Sequence, residues 1–261
     1  MKSSLDKYQL KEFLEEKYKL YAIPSFVNDD PSQFPHRFSK KEDIEIAGIL
    51  AATISWGNRK MIVGNMDRLM QKMGDSPYEF VVNYSKRDDH LLDKFVHRTF
   101  NGTDCIHYIK SLKHIYTLKG GMEKVFSDGY KSEQNIKGAI KNFRKQFVDS
   151  EAPTHTLVHV ANVDKGSACK RINMFLRWMV RPSSEGIDFG LWNNIPASAL
   201  MMPLDTHSGR VSRVLGLLNR KQSDWKAVEE LTSFLRELDP NDPVKFDYAL
   251  FGLGVYEKFG Q

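Results

Sequence analysis

Cysteine is almost missing from this sequence: Cys105 and Cys169 are the two in 261 residues. Two thiols build neither a disulfide framework nor a Cys-rich metal cluster. A reduced, cytoplasmic setting is the expectation that follows. Long apolar runs are missing as well. No stretch reaches the roughly 20 residues that a membrane helix needs, and the opening "MKSSLDKYQLKEFLEEKYK" lacks the apolar centre of a signal peptide. No membrane partner is expected. Charge of one sign is not in strong excess, since 38 Lys and Arg stand against 33 Asp and Glu, a net +5. That balance permits a polyanionic partner without requiring one. Strand alternation, internal repeats and low-complexity segments are lacking throughout.

What is present is helical periodicity. Hydrophobic residues make up 41% of the chain, enough to fill one large domain or two small lobes. Residues 4–19 carry Leu5, Tyr8, Leu10, Phe13, Leu14 and Tyr18 on one stripe. Ser39 followed by Glu42 reads as a capping box that opens the apolar helix "DIEIAGILAATISW". Amphipathic segments are expected near 58–72, 77–84, 102–117 and 133–147, with turns such as "KGG" at 119–121. A long helix is expected from about Ser167 to Arg181, where Pro182 stops it. Residues 183–204 read as irregular. Two more helices are expected near 224–238 and 243–258, the second opened by Asp242 as cap and Pro243 at its first position. The expected fold class is all-α.

Four segments carry chemistry. In "VDKGSACKR" a Gly-Ser turn runs straight into a helix, and free N–H groups at such a start favour an anion such as a phosphate. Lys170 stands in the first turn, where a cation opposes the helix dipole. Either it points into solvent, or it is partly desolvated there, a setting that frees an amine to act as a nucleophile. In "PLDTHSGRVSRVLGL" Asp205 stands where an N-cap belongs; it is only the cap, or it also does acid–base or electrostatic work. One His, His207, beside one Asp is too few ligands for a metal, and no metal is expected.

The other two segments flank the first pair. "EIAGILAATISWGNRK" ends a core run at Ser55, Trp56, Gly57, Asn58 and Arg59. Trp56 either closes the core or offers a surface for stacking a base or wedging a duplex. In "DPVKFDYALFGLGV" Phe246, Leu250, Leu253 and Tyr256 form a stripe, with Gly252 and Gly254 allowing close helix contact. Asp247 falls within that apolar pattern and needs partners; it is structural, or it lines a pocket.

In this order the four segments resemble the helix-hairpin-helix DNA glycosylase superfamily, the group of endonuclease III, the adenine glycosylases and the 8-oxoguanine glycosylases. "GILAATISW" corresponds to an "LLSAQ"-like helix, "GSACKRINMFLRWMV" to the helix with the catalytic lysine, "LDTHSGRVSRV" to a "VDTHVxRV"-like segment with the essential aspartate, and "FDYALFGLG" to a closing "F-N-x-A-L-x-x-L-G" helix. The correspondence runs over residues 40–258. The usual hairpin "PGVGxKTA" is replaced by "VDKGSACKR", and the lysine-to-aspartate gap is longer than in endonuclease III. Both features are similar to the archaeal 8-oxoguanine glycosylases. The whole chain also looks like an uncharacterised bacterial family known only as a domain of unknown function.

The resemblance implies two helical lobes, 43–180 and 1–42 with 195–261, packed across a cleft. It implies base-excision repair: a glycosylase with AP-lyase activity on double-stranded DNA holding an oxidised purine such as 8-oxoguanine. Lys170 would be the nucleophile, with Lys165 as a fallback, and Asp205 its partner. Gly166 and Ser167 would grip a phosphate, and Trp56 and Asp247 would line the base pocket. No cofactor is implied and no iron–sulfur cluster, since no four-Cys motif follows. Two other readings stand beside it: a catalytically silent DNA- or RNA-binding protein, and an all-α protein-interaction module.

Overall fold

The structure, a computed structural model, describes residues 5–261. It is all-α apart from one two-stranded hairpin. The α-helices are α1 (Lys7–Tyr21), α2 (Lys41–Ile54), α3 (Arg59–Lys72), α4 (Pro77–Asn83), α5 (Asp89–Leu92), α6 (Gly102–Leu118), α7 (Met122–Glu133), α8 (Ile136–Asp149), α9 (Lys170–Val180), α10 (Thr206–Val214), α11 (Trp225–Leu238) and α12 (Phe246–Val255). Strands β1 (Val96–His97) and β2 (Phe100–Asn101) pair antiparallel between α5 and α6. None of the described helices is long and apolar enough to cross a membrane.

Several starts and stops differ from the sequence pattern. The expected Ser39 capping box does not form. Helix α2 begins one residue later, at Lys41, with Lys40 in the cap position and no side chain capping it. The expected helix 133–147 is α8, and a separate helix, α7, precedes it. Gln134, in the left-handed region at φ +52°, breaks the two apart. Asp242 and Pro243 open a short 3-10 turn, Pro243–Lys245, and not α12 itself. Asp242 makes no cap, because the Arg181 guanidinium holds its carboxylate from Nε and Nη2 at 2.8–3.0 Å.

The chain forms two compact units, one of the segment up to Phe26 with Val163–Gln261, the other of Val27–Asn162. The boundaries differ from the expected lobes 43–180 and 1–42 with 195–261: residues 27–42 belong with the other unit, and residues 163–180 belong with the terminal segments. The reason is side-chain chemistry. Arg177 of α9 pairs with Asp247 of α12, and Arg181 donates to the Tyr18 hydroxyl of α1 at 3.1 Å.

In the first unit α9 is buried along its whole length from Ile172 to Val180. Helix α12 packs on α1 and on α10, and two glycines make that closeness possible. A Cβ on Gly252 would stand 2.1 Å from the Tyr21 ring, and one on Gly254 would stand 2.9 Å from the Cβ of His207. The spacing of α12 from α10 is therefore written into "FGLGV", and it sets where the start of α10 lies.

In the second unit α2 is buried from Ile44 to Ile54. Helices α7 and α8 pack closely because Gly129 and Gly138 meet; a Cβ on Gly129 would lie 2.5 Å from the Gly138 carbonyl oxygen. A core of Tyr108, Phe126, Phe143 and Phe147 fills the space between α6, α7 and α8.

Candidate active site

Lys170 is the first residue of α9, and nothing caps the helix before it. Cys169 occupies the cap position in the left-handed region, at φ +51°, and makes no capping hydrogen bond. No acidic residue stands in the first turn. Lys170 itself is half-buried, and its polar contact is the Met174 sulfur at 3.5 Å. Among the described residues it forms no ion pair. A half-buried ammonium with no carboxylate against it, at the positive end of a helix dipole, is poorly placed for stability. That is the observation the sequence left open, and here the amine does not simply point away.

Asp205 caps α10 as fully as one side chain can. Its Oδ1 accepts from the N–H groups of His207 and Ser208, each at 2.8 Å, and from the Ser208 hydroxyl at 3.2 Å. Ser208 Oγ in turn accepts from the Asp205 N–H at 3.0 Å, closing a capping box. All of these bonds fall on one oxygen. Oδ2 accepts none among the described residues, and the residue is half-buried. The carboxylate is divided: one oxygen holds the helix, the other is available.

Asp247, on α12, is buried and salt-bridged to Nη1 of Arg177. Its carboxyl is pushed up to about 6, first by burial; the Arg177 guanidinium and the Lys170 ammonium work against that rise, and the Asp205 and Asp188 carboxylates add to it. Lys170 and Asp205 thus both lie within electrostatic reach of one buried carboxyl. Three residues that are far apart in sequence form one charged neighbourhood.

The sequence reading missed what holds Asp247 there. Arg177 lies in "INMFLRWMV", an otherwise apolar run, and its Nε sits 3.5 Å from Asp188 Oδ1. Asp188 also accepts from Arg181 Nη1 at 2.5 Å and from the Tyr248 hydroxyl at 2.9 Å. The Arg177 guanidinium lies over the Tyr248 ring, 4.1 Å from its centroid. Two buried arginines and the two buried carboxylates of Asp188 and Asp247 neutralise one another in this way, as buried charges must. An Arg on the buried stripe of α9 was the available signal.

The turn before α9 is partly as expected. Gly166, at φ +80°, is exposed, with open space where a Cβ would be. Its N–H, however, donates to the Val163 carbonyl at 3.0 Å, and its carbonyl accepts from the Trp225 N–H at 3.0 Å. The Gly166 N–H is therefore spent inside the turn and does not offer itself to a phosphate. Ser167 forms an isolated bridge with Asp224, and its hydroxyl accepts from the Cys169 N–H at 3.2 Å. Lys165 is exposed in the same turn.

Trp56 belongs to the second unit, at the bend after α2. Its ring stacks on His159 at 6.0 Å and meets the edge of His97 at 4.8 Å. His97 is fully buried. The Asn65 amide donates to its Nδ1 at 2.7 Å, so Nε2 carries the proton and donates to the Trp56 carbonyl at 3.0 Å. The Trp56 side chain is half-buried and held on two sides.

The chain belongs to the DUF2400 family. The family, described as a protein of unknown function, matches residues 30–256, which contain every residue of this site. No curated protein and no solved structure matches the chain. The DUF2400 match therefore brings no activity with it, and the functional reading rests on the residues.

Proposed function

We propose that this protein is a DNA base-excision glycosylase with AP-lyase activity, acting in the cytoplasm on an oxidised purine such as 8-oxoguanine. The single observation that carries the reading is that the divided Asp205 carboxylate and the half-buried Lys170, which forms no ion pair among the described residues, both act on the buried carboxyl of Asp247. A helix cap needs one oxygen; a second oxygen left over in the charged neighbourhood of a lysine is what nucleophilic catalysis by an amine uses. The order of motifs supports the same class, and the lesion rests on the resemblance to the archaeal 8-oxoguanine enzymes.

The flipped nucleotide brings its anomeric carbon to Lys170. The neutral amine forms a C1′–N bond as the glycosidic C1′–N9 bond breaks, and its electron pair leaves with the base. Asp205 Oδ2 takes the proton the amine sheds and stabilises positive charge at C1′ during the exchange. That proton, or an equivalent one from water, neutralises the departing base. The nitrogen lone pair then opens the sugar ring by breaking C1′–O4′, the ring oxygen takes a proton from solvent, and the protonated Schiff base results. Loss of a proton from C2′ to solvent then expels the 3′ phosphate by β-elimination.

Borohydride trapping tests this on duplexes holding 8-oxoguanine or an abasic site, with wild type beside Lys170→Gln. A covalent adduct with wild type alone is the expected result. An adduct on the abasic duplex alone keeps the lyase and removes 8-oxoguanine as the substrate. Salt-sensitive duplex binding with no adduct on either DNA would replace the reading with the silent binder. Neither binding nor adduct would leave the interaction module.

A further inference from the structure

Asn173 lies on α9, one turn after Lys170, and only 1% of its surface is exposed. Its Nδ2 donates to two backbone carbonyls, Ala168 at 3.2 Å and Met202 at 3.4 Å. Ala168 is two residues before Lys170, and Met202 is three before Asp205. One side-chain amide thus ties together the two chain segments that deliver the lysine and the aspartate. Its orientation is forced, because the reverse would set the amide oxygen against two carbonyl oxygens. The Asn173 Oδ1, buried on the other side, has no hydrogen-bond partner. An aliphatic side chain would fill this place with no orphaned acceptor, so packing alone does not account for an asparagine here. Met202 is gripped from its other side as well, its N–H donating to Thr232 Oγ1 at 3.1 Å.

We infer that Asn173 is a positioning residue that sets the placement of Lys170 relative to Asp205. The inference rests on the proposed lysine–aspartate chemistry. The clamp matters for that chemistry because the lysine rides on a rigid helix, whereas Asp205 follows the irregular stretch after Pro182. Gly254 sets α10 against α12 and Thr232 holds Met202 to α11, but the Asn173 amide is what ties this segment to α9 itself, so its loss loosens α10 relative to α9 with both helices intact. Small misplacements of that kind cost rate far more than they cost stability.

Two variants test it. Asn173→Leu keeps the branched heavy-atom shape and removes the donor, and Thr232→Val releases the other side of Met202. Both are assayed by borohydride trapping at saturating and limiting abasic duplex, and by amide hydrogen exchange. For Asn173→Leu the expected result is about tenfold to a hundredfold slower trapping at saturation, with half-saturation unchanged. Faster exchange should be confined to residues 168–170 and 202–208. Thr232→Val should speed exchange in 202–208 alone and slow trapping in the same direction. Trapping at the wild-type rate by a folded Asn173→Leu, or exchange that rises uniformly through α9, would overturn the inference. If wild type traps nothing, the proposed function fails, and the exchange pattern alone decides the clamp. If Asn173→Leu does not fold, Thr232→Val decides it.

Discussion

The starts of α9 and α10 belong to the same unit and are built on opposite principles. Helix α10 opens with a complete capping box, Asp205 holding two N–H groups and Ser208 returning the favour. Helix α9 opens with a left-handed cysteine, no side-chain cap and a lysine in the first turn. By stability alone the first is favourable and the second is not: a good cap is worth about 1 kcal/mol, and a cation at a helix start costs about 0.3–1 kcal/mol. Proteins depart from local rules mainly where function requires it. The well-made start carries a carboxylate with one oxygen left over, the poorly made one carries a lysine, and both act electrostatically on the same buried aspartate. Under the proposed function the contrast has a reason: α10 is capped to hold Asp205 in place, and α9 gives up stability to keep an amine out of ion pairs.

Experiments can break or sharpen this contrast. The largest effect is expected at the poorly made start. Lys170→Gln should abolish trapping while leaving stability unchanged or raised by about 0.3–1 kcal/mol, because it removes a cation from the wrong end of a dipole. Calorimetry beside the trapping assay reads both, and a clear loss of stability would mean that the lysine is there for packing. Next comes the pair that anchors α9 to α12. Arg177→Leu should cost about 3–5 kcal/mol in urea denaturation, since it leaves Asp247 buried and unpaired. A cost below 1 kcal/mol would remove Asp247 from the account.

A smaller effect concerns pH. The Asp247 carboxyl is raised to about 6 in the folded protein, burial being the main cause, while an unfolded Asp titrates near 3.9. The folded state therefore binds the extra proton between those values. The stability this group contributes is fully present below about 4 and is lost as the pH rises through about 6. Asp247→Asn should remove that dependence, flattening the difference between Tm at pH 4 and pH 7 relative to wild type. A wild-type and a variant curve that run parallel over this window would contradict the buried, raised carboxyl.

Smallest in stability is the cap itself. Asp205→Ala should destabilise by about 1 kcal/mol, whereas Asp205→Asn keeps an acceptor at the cap and should cost only a few tenths. The two variants separate capping from charge at one position.

Much of the fold was legible because amphipathic periodicity is local. The segments 58–72, 77–84, 102–117 and 224–238 correspond to α3, α4, α6 and α11 within a residue or two. Helix α7 escaped although Met122, Val125 and Phe126 give it an apolar face; one turn on, that face carries Gly129, a poor helix former that is there to let α8 approach, which is a tertiary reason. Strands β1 and β2 are two residues each, too short to show alternation. At the site, Asp205 was legible as a cap because its partners are its own neighbours in sequence. The division of its two oxygens was not, nor was Arg177 as the partner of Asp247, 70 residues away. The Gly166 N–H was misjudged for a similar reason. A Gly-Ser turn before a helix resembles an anion cradle in sequence, and only the fold reveals that Val163 has already taken the donor.

The most direct test of the central claim is to measure Asp205→Asn for trapping on an abasic duplex and for thermal stability in the same preparation. If Asp205 is both cap and catalyst, the variant will melt within a degree or two of wild type and trap about 10²–10⁴-fold more slowly. If it traps at the wild-type rate, the free oxygen does no chemistry, and Asp205 is a helix cap and nothing more.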